Sequence, residues 1–381
     1  MRSKQERLIY IDNLRILMIV FVVMIHLAVT YSGFGGWYYK EGKSLDYFSS
    51  IVFSFFQSFT QGYFMGFLFL ISGYFVPGAY DKKGFSKFIK DRFIRLGIPT
   101  LIYMLIINPV IMYFILQSDF FGSSNMFADY IHYITSFNFL GWSGPLWFAF
   151  ALLIFNVVYA FVRRFQHKNN KEKSRVKDFP KFKKLIYLII IIAFTAFIIR
   201  TRRPIGTSFL NMQLCYFAQY IILFIIGLKS YRNNWFSEIK YKTGVKWILF
   251  SLTVGFVLWA VIMLASGASE GNQDINGGLH WQSAAYALWE SFVSVGMSVG
   301  IIALFKEKYN KQNKLVKALS DSSFAVYMFH APIIITITLL FKPVLLPPLV
   351  KFIIMCIVSI PICFILSHFI FKRIPLLKKV I

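Results

Sequence analysis

Apolar runs of about 20 residues recur along the whole chain, and this repetition constrains the fold more than any other feature. Each run can cross the hydrocarbon core of a bilayer as an α-helix. Only 15% of the residues are charged, against about a quarter in soluble domains. We therefore predict an all-α polytopic membrane bundle, one domain over residues 1–381. Its ten transmembrane helices are expected at approximately 10–31, 48–76, 96–117, 144–163, 185–200, 211–228, 246–266, 282–305, 321–341 and 349–371.

Lysine and arginine are strongly biased toward one side of this predicted topology. Of the 41 basic residues, seven lie on the opposite side and one lies within the first helix. The remaining 33 lie in segments 1–9, 77–95, 163–184, 229–246, 306–320 and 372–381. Because cytoplasmic loops are enriched in these residues, both termini are predicted to be cytoplasmic. The net charge of +25 then points to anionic lipids or a phosphorylated cosubstrate, and not to nucleic acid.

The cysteines and the N-terminus indicate no further class of site. Cys215, Cys356 and Cys363 lie inside apolar runs without metal-ligand spacing, so they are predicted to be core residues and no metal is expected. The first apolar stretch lacks a small-x-small cleavage site and is interrupted by Asp12 and Asn13. It is predicted to be an uncleaved first helix.

Two ionisable residues, Arg15 and His26, stand out in the first predicted helix. Eleven residues correspond to about three turns, which puts both on one face, with a rise of about 16 Å between them. Ionisable side chains at such depth are costly and usually face a cavity or a partner. A neutral imidazole can act as a general base, and a guanidinium can clamp a phosphate. The alternative is an arginine that snorkels and a hydrogen-bonded core histidine.

Five short motifs resemble those of the membrane acyltransferase-3 family, in the same order, over about residues 10–371. They are Arg15-x10-His26, Phe-Leu-Ile-Ser-Gly-Tyr at 69–74, Arg-Phe-Ile-Arg-Leu-Gly-Ile-Pro at 92–99, Gly-Pro-Leu-Trp-Phe at 144–148 and Ser-Ser-Phe-Ala-Val-Tyr-Met-Phe-His at 322–330. Five motifs in this order, on ten predicted spans with matching orientation, are a specific indication of the family. The neighbourhood of Tyr31 also resembles the branch that contains glucan-modifying proteins, and the family includes O-antigen-type O-acyltransferases.

This resemblance implies a multi-pass O-acyltransferase of the bacterial inner (cell) membrane. The enzyme would move an acyl group from cytosolic acyl-CoA to a hydroxyl of an envelope or exported carbohydrate. Acetyl, from acetyl-CoA, is expected first and succinyl is the alternative. No cofactor would be tightly bound, since acyl-CoA is a cosubstrate. The expected partners are acyl-CoA, the carbohydrate acceptor and membrane lipids, and the sequence does not determine the oligomeric state.

The resemblance and the residue chemistry together suggest roles at the site. His26 would be the general base or a transient acyl carrier, and Arg15 would hold the donor or orient the site. Arg92 and Arg95 would meet the nucleotide at the cytoplasmic mouth, and Ser72 would let the donor approach closely. Ordinary positive-inside anchoring is the alternative for Arg92 and Arg95, and close helix packing is the alternative for Ser72.

Three further residues are predicted to lie along the substrate path. Trp147 could face a sugar ring, or it could belong to an aromatic belt at the membrane interface. Tyr327 and His330 lie one turn apart and could contribute to the cavity, although an ordinary core histidine is the alternative.

Glu290 is one of the few acids predicted inside the membrane. It is expected to pair with His26, Arg15 or another buried base, either along the substrate path or as a structural pair. Arg200, with two more arginines close behind it, departs from the charge bias. Arg200 could bind an acidic acceptor or lipid phosphate, or snorkel from a short fifth helix.

Two other functions share parts of this pattern. A polytopic transporter or flippase for glycans or glycolipids would have as many helices, but no internal repeat is visible. An acyltransferase-like protein that only binds or scaffolds would keep the fold, but it would have no need of all the motif residues.

Overall fold

The computed structural model describes residues 8–117, 125–166 and 177–374. These residues form helices and no strand, apart from one isolated bridge between Phe209 and Met212. The expected all-α bundle is thus confirmed. Its α-helices are α1 (Ile9–Ser32), α2 (Tyr47–Arg92), α3 (Ile98–Ile102), α4 (Met126–Thr135), α5 (Trp147–Gln166), α6 (Phe182–Arg200), α7 (Phe217–Asn233), α8 (Trp235–Glu238), α9 (Tyr241–Ala265), α10 (Trp281–Lys308), α11 (Lys314–Leu340) and α12 (Pro348–Phe369).

Nine helical stretches in the described residues are long and apolar enough to cross a membrane. One of them, Tyr47–Ile115, contains both the second and the third predicted helix. The second helix does not end near residue 76 as predicted, because its helical geometry continues to a break at Gly84, beyond which α2 extends to Arg92. The 69 residues of the whole stretch Tyr47–Ile115 would extend about 100 Å if they formed one straight helix, which is more than three times the hydrocarbon thickness. The backbone leaves helical geometry at Gly84, with φ of 70° and ψ of 174°, which marks the break between two crossings.

Loops that carry the basic clusters meet at one end of the bundle, which we call the basic end. Asn13 at the start of α1 donates from Nδ2 to the Tyr309 carbonyl oxygen at 2.6 Å. Arg232 at the end of α7 donates from Nη2 to Asp81 Oδ1 of α2 at 3.0 Å. The described loops therefore group as the charge bias predicts. The cytoplasmic location of this end stays a prediction, and the clusters in 1–9, 163–184 and 372–381 lie partly outside the described residues.

Glycines allow α2 and α7 to pack backbone against backbone. A Cβ atom at Gly73 would overlap the carbonyl oxygen of Phe224, and a Cβ at Gly227 would overlap the carbonyl oxygen of Leu70. Small residues at a crossing are the usual means of bringing membrane helices this close. The motif around residue 73 therefore serves helix packing in this fold.

A buried ion pair joins α6 to α10. Arg200 Nη2 donates to Glu290 Oε2 in a short hydrogen bond, and the two side chains are 0% and 3% exposed. Arg200 does not snorkel to the interface, because its guanidinium is fully enclosed. The partner of Glu290 is therefore Arg200, which is the other buried base of the prediction, and not His26 or Arg15. The pair holds together the ends of α6 and α10 that lie opposite the basic end.

Replacing Glu290 with glutamine would leave the Arg200 charge buried without a counter-ion. We expect the free energy of unfolding to fall by about 3–5 kcal/mol, as measured by denaturation of the detergent-solubilised protein. The Arg200→Met, Glu290→Leu double variant removes both charges and should recover most of the loss. A Glu290→Gln protein as stable as the wild type would show that the pair contributes no stability.

Candidate active site

Two histidines from distant parts of the chain meet inside the bundle. His26 lies on α1 and His330 on α11, and His330 Nε2 is 3.1 Å from His26 Nδ1. His330 Nδ1 lies 2.9 Å from the carbonyl oxygen of Tyr327 and 3.2 Å from that of Val326. His330 is fully buried, whereas His26 keeps part of its surface accessible.

The hydrogen-bond partners determine the tautomers of both rings. Carbonyl oxygens only accept, so Nδ1 of His330 must carry the hydrogen, and in the neutral ring Nε2 is an acceptor. Nδ1 of His26, which faces that acceptor, must then donate. Nε2 of His26 is left with a free lone pair. This is the arrangement of a general base that is oriented by a second group.

Trp37 covers His26 from the loop 33–46. Its ring is stacked on His26 with centroids 3.8 Å apart and planes 20° apart, and its centroid is 6.3 Å from that of His330. The loop therefore folds back into the bundle beside the two histidines. The indole Nε1 is buried and has no hydrogen-bond partner among the described residues. The indole Nε1–H is thus an unpaired donor beside the two histidines. The sequence pattern does not single out Trp37.

An ion pair opposite the basic end anchors this loop. Lys351, in the first turn of α12, places Nζ 2.8 Å from Glu41 Oε1, and the side chains are 2% and 5% exposed. The backbone N–H of Glu41 donates to the Thr30 carbonyl oxygen of α1 at 2.9 Å. Gly33 and Gly42, near the two ends of the loop, have φ of 75° and 73°, which favour glycine. These contacts hold Trp37 against His26.

Phenols and an amide form a buried polar cluster next to Trp37. Tyr38 donates to Asn108 Oδ1 at 2.7 Å and lies 3.2 Å from the hydroxyl of Tyr103. The Tyr133 hydroxyl donates to a backbone carbonyl at 2.9 Å and lies 3.4 Å from the Asn108 amide. Burial raises the pKa of the Tyr38 phenol, so it stays neutral and keeps its hydrogen.

The fourth and fifth sequence motifs meet beside His330. Tyr327 donates a short hydrogen bond to the carbonyl oxygen of Pro145. Trp147 follows at the start of α5 and is stacked on Tyr220, with centroids 5.8 Å apart and planes 28° apart. The structure thus brings Tyr327 beside His330, and it places Trp147 next to the backbone that Tyr327 binds.

Comparison with known proteins identifies the family. The profile of the acyltransferase-3 family, described as an acyltransferase domain, matches residues 8–368. The chain belongs to this acyltransferase-3 family. It is also similar to "Glucans biosynthesis protein C" of Escherichia coli O1:K1 and of Escherichia coli K12. Both are 23% identical over 388 aligned residues, which cover 98% of this chain and 94% of the relative. No solved structure matches the chain. The protein is therefore a multi-pass membrane acyltransferase.

Arg15 of this acyltransferase-3 protein lies far from His26. Its side chain faces the basic end, where Nη1 donates to Asp12 Oδ1 at 3.2 Å and the guanidinium lies 5.0 Å from the centre of the Phe75 ring. The rise of α1 separates Arg15 from His26 by about 16 Å. The structure therefore keeps the two motif residues on one helix without bringing their side chains together.

The residues predicted to bind the donor also lie toward the basic end. Ser72 is partly buried on α2, one turn before the ring that Arg15 contacts. Arg95 is largely exposed and bonds Asp91 at 3.2 Å. Arg92 lies over the Phe88 ring at 4.8 Å, and its buried Nε has no partner among the described residues. In the described ranges, no three His, Cys, Asp or Glu side chains are grouped as metal ligands.

Proposed function

We propose that the protein transfers an acyl group from cytosolic acyl-CoA to a hydroxyl of an envelope or exported carbohydrate in the bacterial inner membrane. The observation that carries this proposal is the contact between the two histidines, in which His330 orients His26 beside the unpaired Trp37 indole N–H. The family supplies the acyl-transfer chemistry. The relatives named for glucan biosynthesis favour a carbohydrate acceptor. Acetyl is the proposed acyl group and succinyl is the alternative.

The reaction needs a base and an oxyanion donor. His26 Nε2 accepts the proton of the acceptor hydroxyl while its oxygen attacks the thioester carbonyl carbon. The Trp37 Nε1–H donates to the negative oxygen of the tetrahedral intermediate and stabilises it. The carbon–sulfur bond then breaks, and the CoA sulfur takes the proton from His26 as the ester forms. Because Nδ1 of His26 is bonded to His330, the imidazolium is stabilised during the step.

The donor would enter from the basic end. Arg92 and Arg95 would meet its phosphates, and Arg15 and Ser72 would line the way inward. The separation of about 16 Å between Arg15 and His26 requires a long flexible arm, and the pantetheine of CoA is such an arm. His26 as a transient acyl carrier is the second route, in which the acyl group would rest on Nε2 before transfer.

Transfer across the membrane tests this function. Inside-out vesicles that contain the protein would receive acetyl-CoA labelled in the acetyl group. We expect label in the envelope carbohydrate of wild-type vesicles and none in vesicles with the His26→Ala protein. Carbohydrate that reaches the opposite side without label, at equal rates for both proteins, would indicate the transporter or flippase alternative.

The role of Arg92 in donor binding can be separated from its contribution to topology. We expect Arg92→Gln to raise the KM for acyl-CoA about tenfold or more with little change in kcat, because one charge-assisted hydrogen bond to phosphate is lost. Lys90→Gln is the matched control, since it removes the same charge from an exposed position two residues away. Equal KM values for the two variants would assign Arg92 to charge bias alone.

A further inference from the structure

A cavity of about 330 Å³ lies between α6, α7 and α10, away from the two histidines. Its wall is almost wholly apolar and includes Leu188 and Ile191 of α6, Ile226 of α7 and Val299 of α10. All four lie in the halves of these helices that lead to the basic end. The cavity is therefore at the depth of the acyl chains in the leaflet on that side.

The segment 177–181 closes this cavity toward the basic end. Phe179 and Pro180 line the cavity on the side of the basic end. The Phe179 backbone N–H donates to Glu238 Oε2 at 2.7 Å, and Trp235 Nε1 donates to the Lys177 carbonyl oxygen at 2.8 Å. A ligand therefore enters from the side, past α6, where lining residues such as Ile191 are exposed to the bilayer.

Polar groups accompany the cavity at two positions. Lys184 lines it directly, and Lys181 and Lys183 are exposed beside it at the beginning of α6. Deeper in the cavity, the Ser298 hydroxyl is buried and has no hydrogen-bond partner among the described residues. A chain with an anionic group at one end complements this distribution, since its phosphate would face the lysines and its hydrocarbon the apolar wall.

We propose that this cavity binds one acyl chain of an anionic phospholipid from the leaflet at the basic end, with the lipid phosphate at Lys184. Side chains that line an apolar cleft gain van der Waals contacts when an apolar chain occupies it, and the surrounding lipid can supply such a chain. The lipid would fix the basic-end half of α6 against α7 and α10. The other end of α6 is already held by the Arg200–Glu290 pair. This binding does not depend on the acyltransferase reaction.

Native mass spectrometry of the detergent-purified full-length protein tests the proposal by titration with phosphatidylglycerol or phosphatidylcholine. We expect one phosphatidylglycerol to bind the wild type at least tenfold more tightly than phosphatidylcholine. Lys184→Gln should abolish this preference, whereas Lys183→Gln, which removes the same charge beside the cavity, should keep it. Leu188→Trp should fill the cavity and weaken binding, whereas Ile190→Trp on the exposed face of the same helix should not.

Several results would overturn the proposal. Equal affinity of the wild type for the two lipids would show that no anionic headgroup is recognised. Equal affinity of the Lys184→Gln and Lys183→Gln proteins for phosphatidylglycerol would reduce the effect to general surface charge. Binding by Leu188→Trp as tight as by Ile190→Trp would place the lipid elsewhere on the protein.

Discussion

His26→Ala should lower kcat for acyl transfer by about 10²–10⁴-fold, the range that a general base contributes. The physical reason is the loss of the imidazole that accepts the proton of the acceptor hydroxyl in the proposed reaction. Nε2 of His26 is kept unprotonated because Nδ1 is bonded to His330. The rate is measured as acyl transfer from labelled acyl-CoA at saturating donor, with thermal unfolding recorded to show that the protein remains folded.

His368→Ala is the matched control for this variant. His368 lies on α12, where Nδ1 is 3.2 Å from the Ser322 hydroxyl, and it has no place in the proposed reaction. Its replacement should leave kcat within about twofold of the wild type. Full transfer by the His26→Ala protein would refute both the base and the acyl-carrier assignment. A labelled protein intermediate in single-turnover experiments would favour the acyl carrier.

Trp37→Phe should lower kcat by about 10²–10³-fold, which is the usual effect of removing one oxyanion donor. Phenylalanine keeps an aromatic ring against His26 and removes only the Nε1–H, so the stacking at 3.8 Å can persist. The KM for acyl-CoA should change little, because the hydrogen bond from the indole N–H to the oxyanion forms only as the transition state is approached. Steady-state kinetics with varied acyl-CoA separates the two constants.

Trp281→Phe serves as the control for Trp37→Phe. Trp281 is exposed at the start of α10, opposite the basic end, and should tolerate the change with unaltered kinetics. If Trp37→Phe raised KM and left kcat unchanged, the indole would bind the substrate in its ground state and would not stabilise the oxyanion.

The all-helical bundle could be predicted from the sequence because each crossing needs its own apolar run, and hydropathy is local. The end of the second helix could not be predicted from hydropathy, since its last turns leave the apolar run and extend through polar residues as far as the break at Gly84. The break at Gly84 depends on a backbone geometry that glycine permits, but the presence of a glycine does not by itself predict a break.

The candidate site could be predicted only in part. His26 was found because an ionisable residue inside an apolar run is conspicuous. Its partner His330 is 304 residues away, and helix packing alone decides which buried side chains meet. Trp37 lies in a loop that looks external, and its return into the bundle depends on the Glu41–Lys351 pair. The acid Glu41 within this loop and the base Lys351 at the start of an apolar run are the sequence signal that could have suggested the return of the loop.

The pairing of Glu290 shows the same limit for charges. The sequence predicts His26, Arg15 or another buried base as the partner of Glu290, and it does not single out Arg200. The choice of Arg200 follows from the packing of α6 on α10, which the spacing along the chain does not reveal. The separation of Arg15 from His26 was predictable, since both lie on one helix of known rise.

A double-mutant cycle on His26 and His330 tests the central claim most directly, with kcat/KM for acyl transfer as the measurement. If His330 acts only by orienting His26, His330→Ala should lower kcat/KM at least tenfold in the wild type and cause no further loss in the His26→Ala background. An equal loss from His330→Ala in both backgrounds would contradict the account, because the two histidines would then act independently.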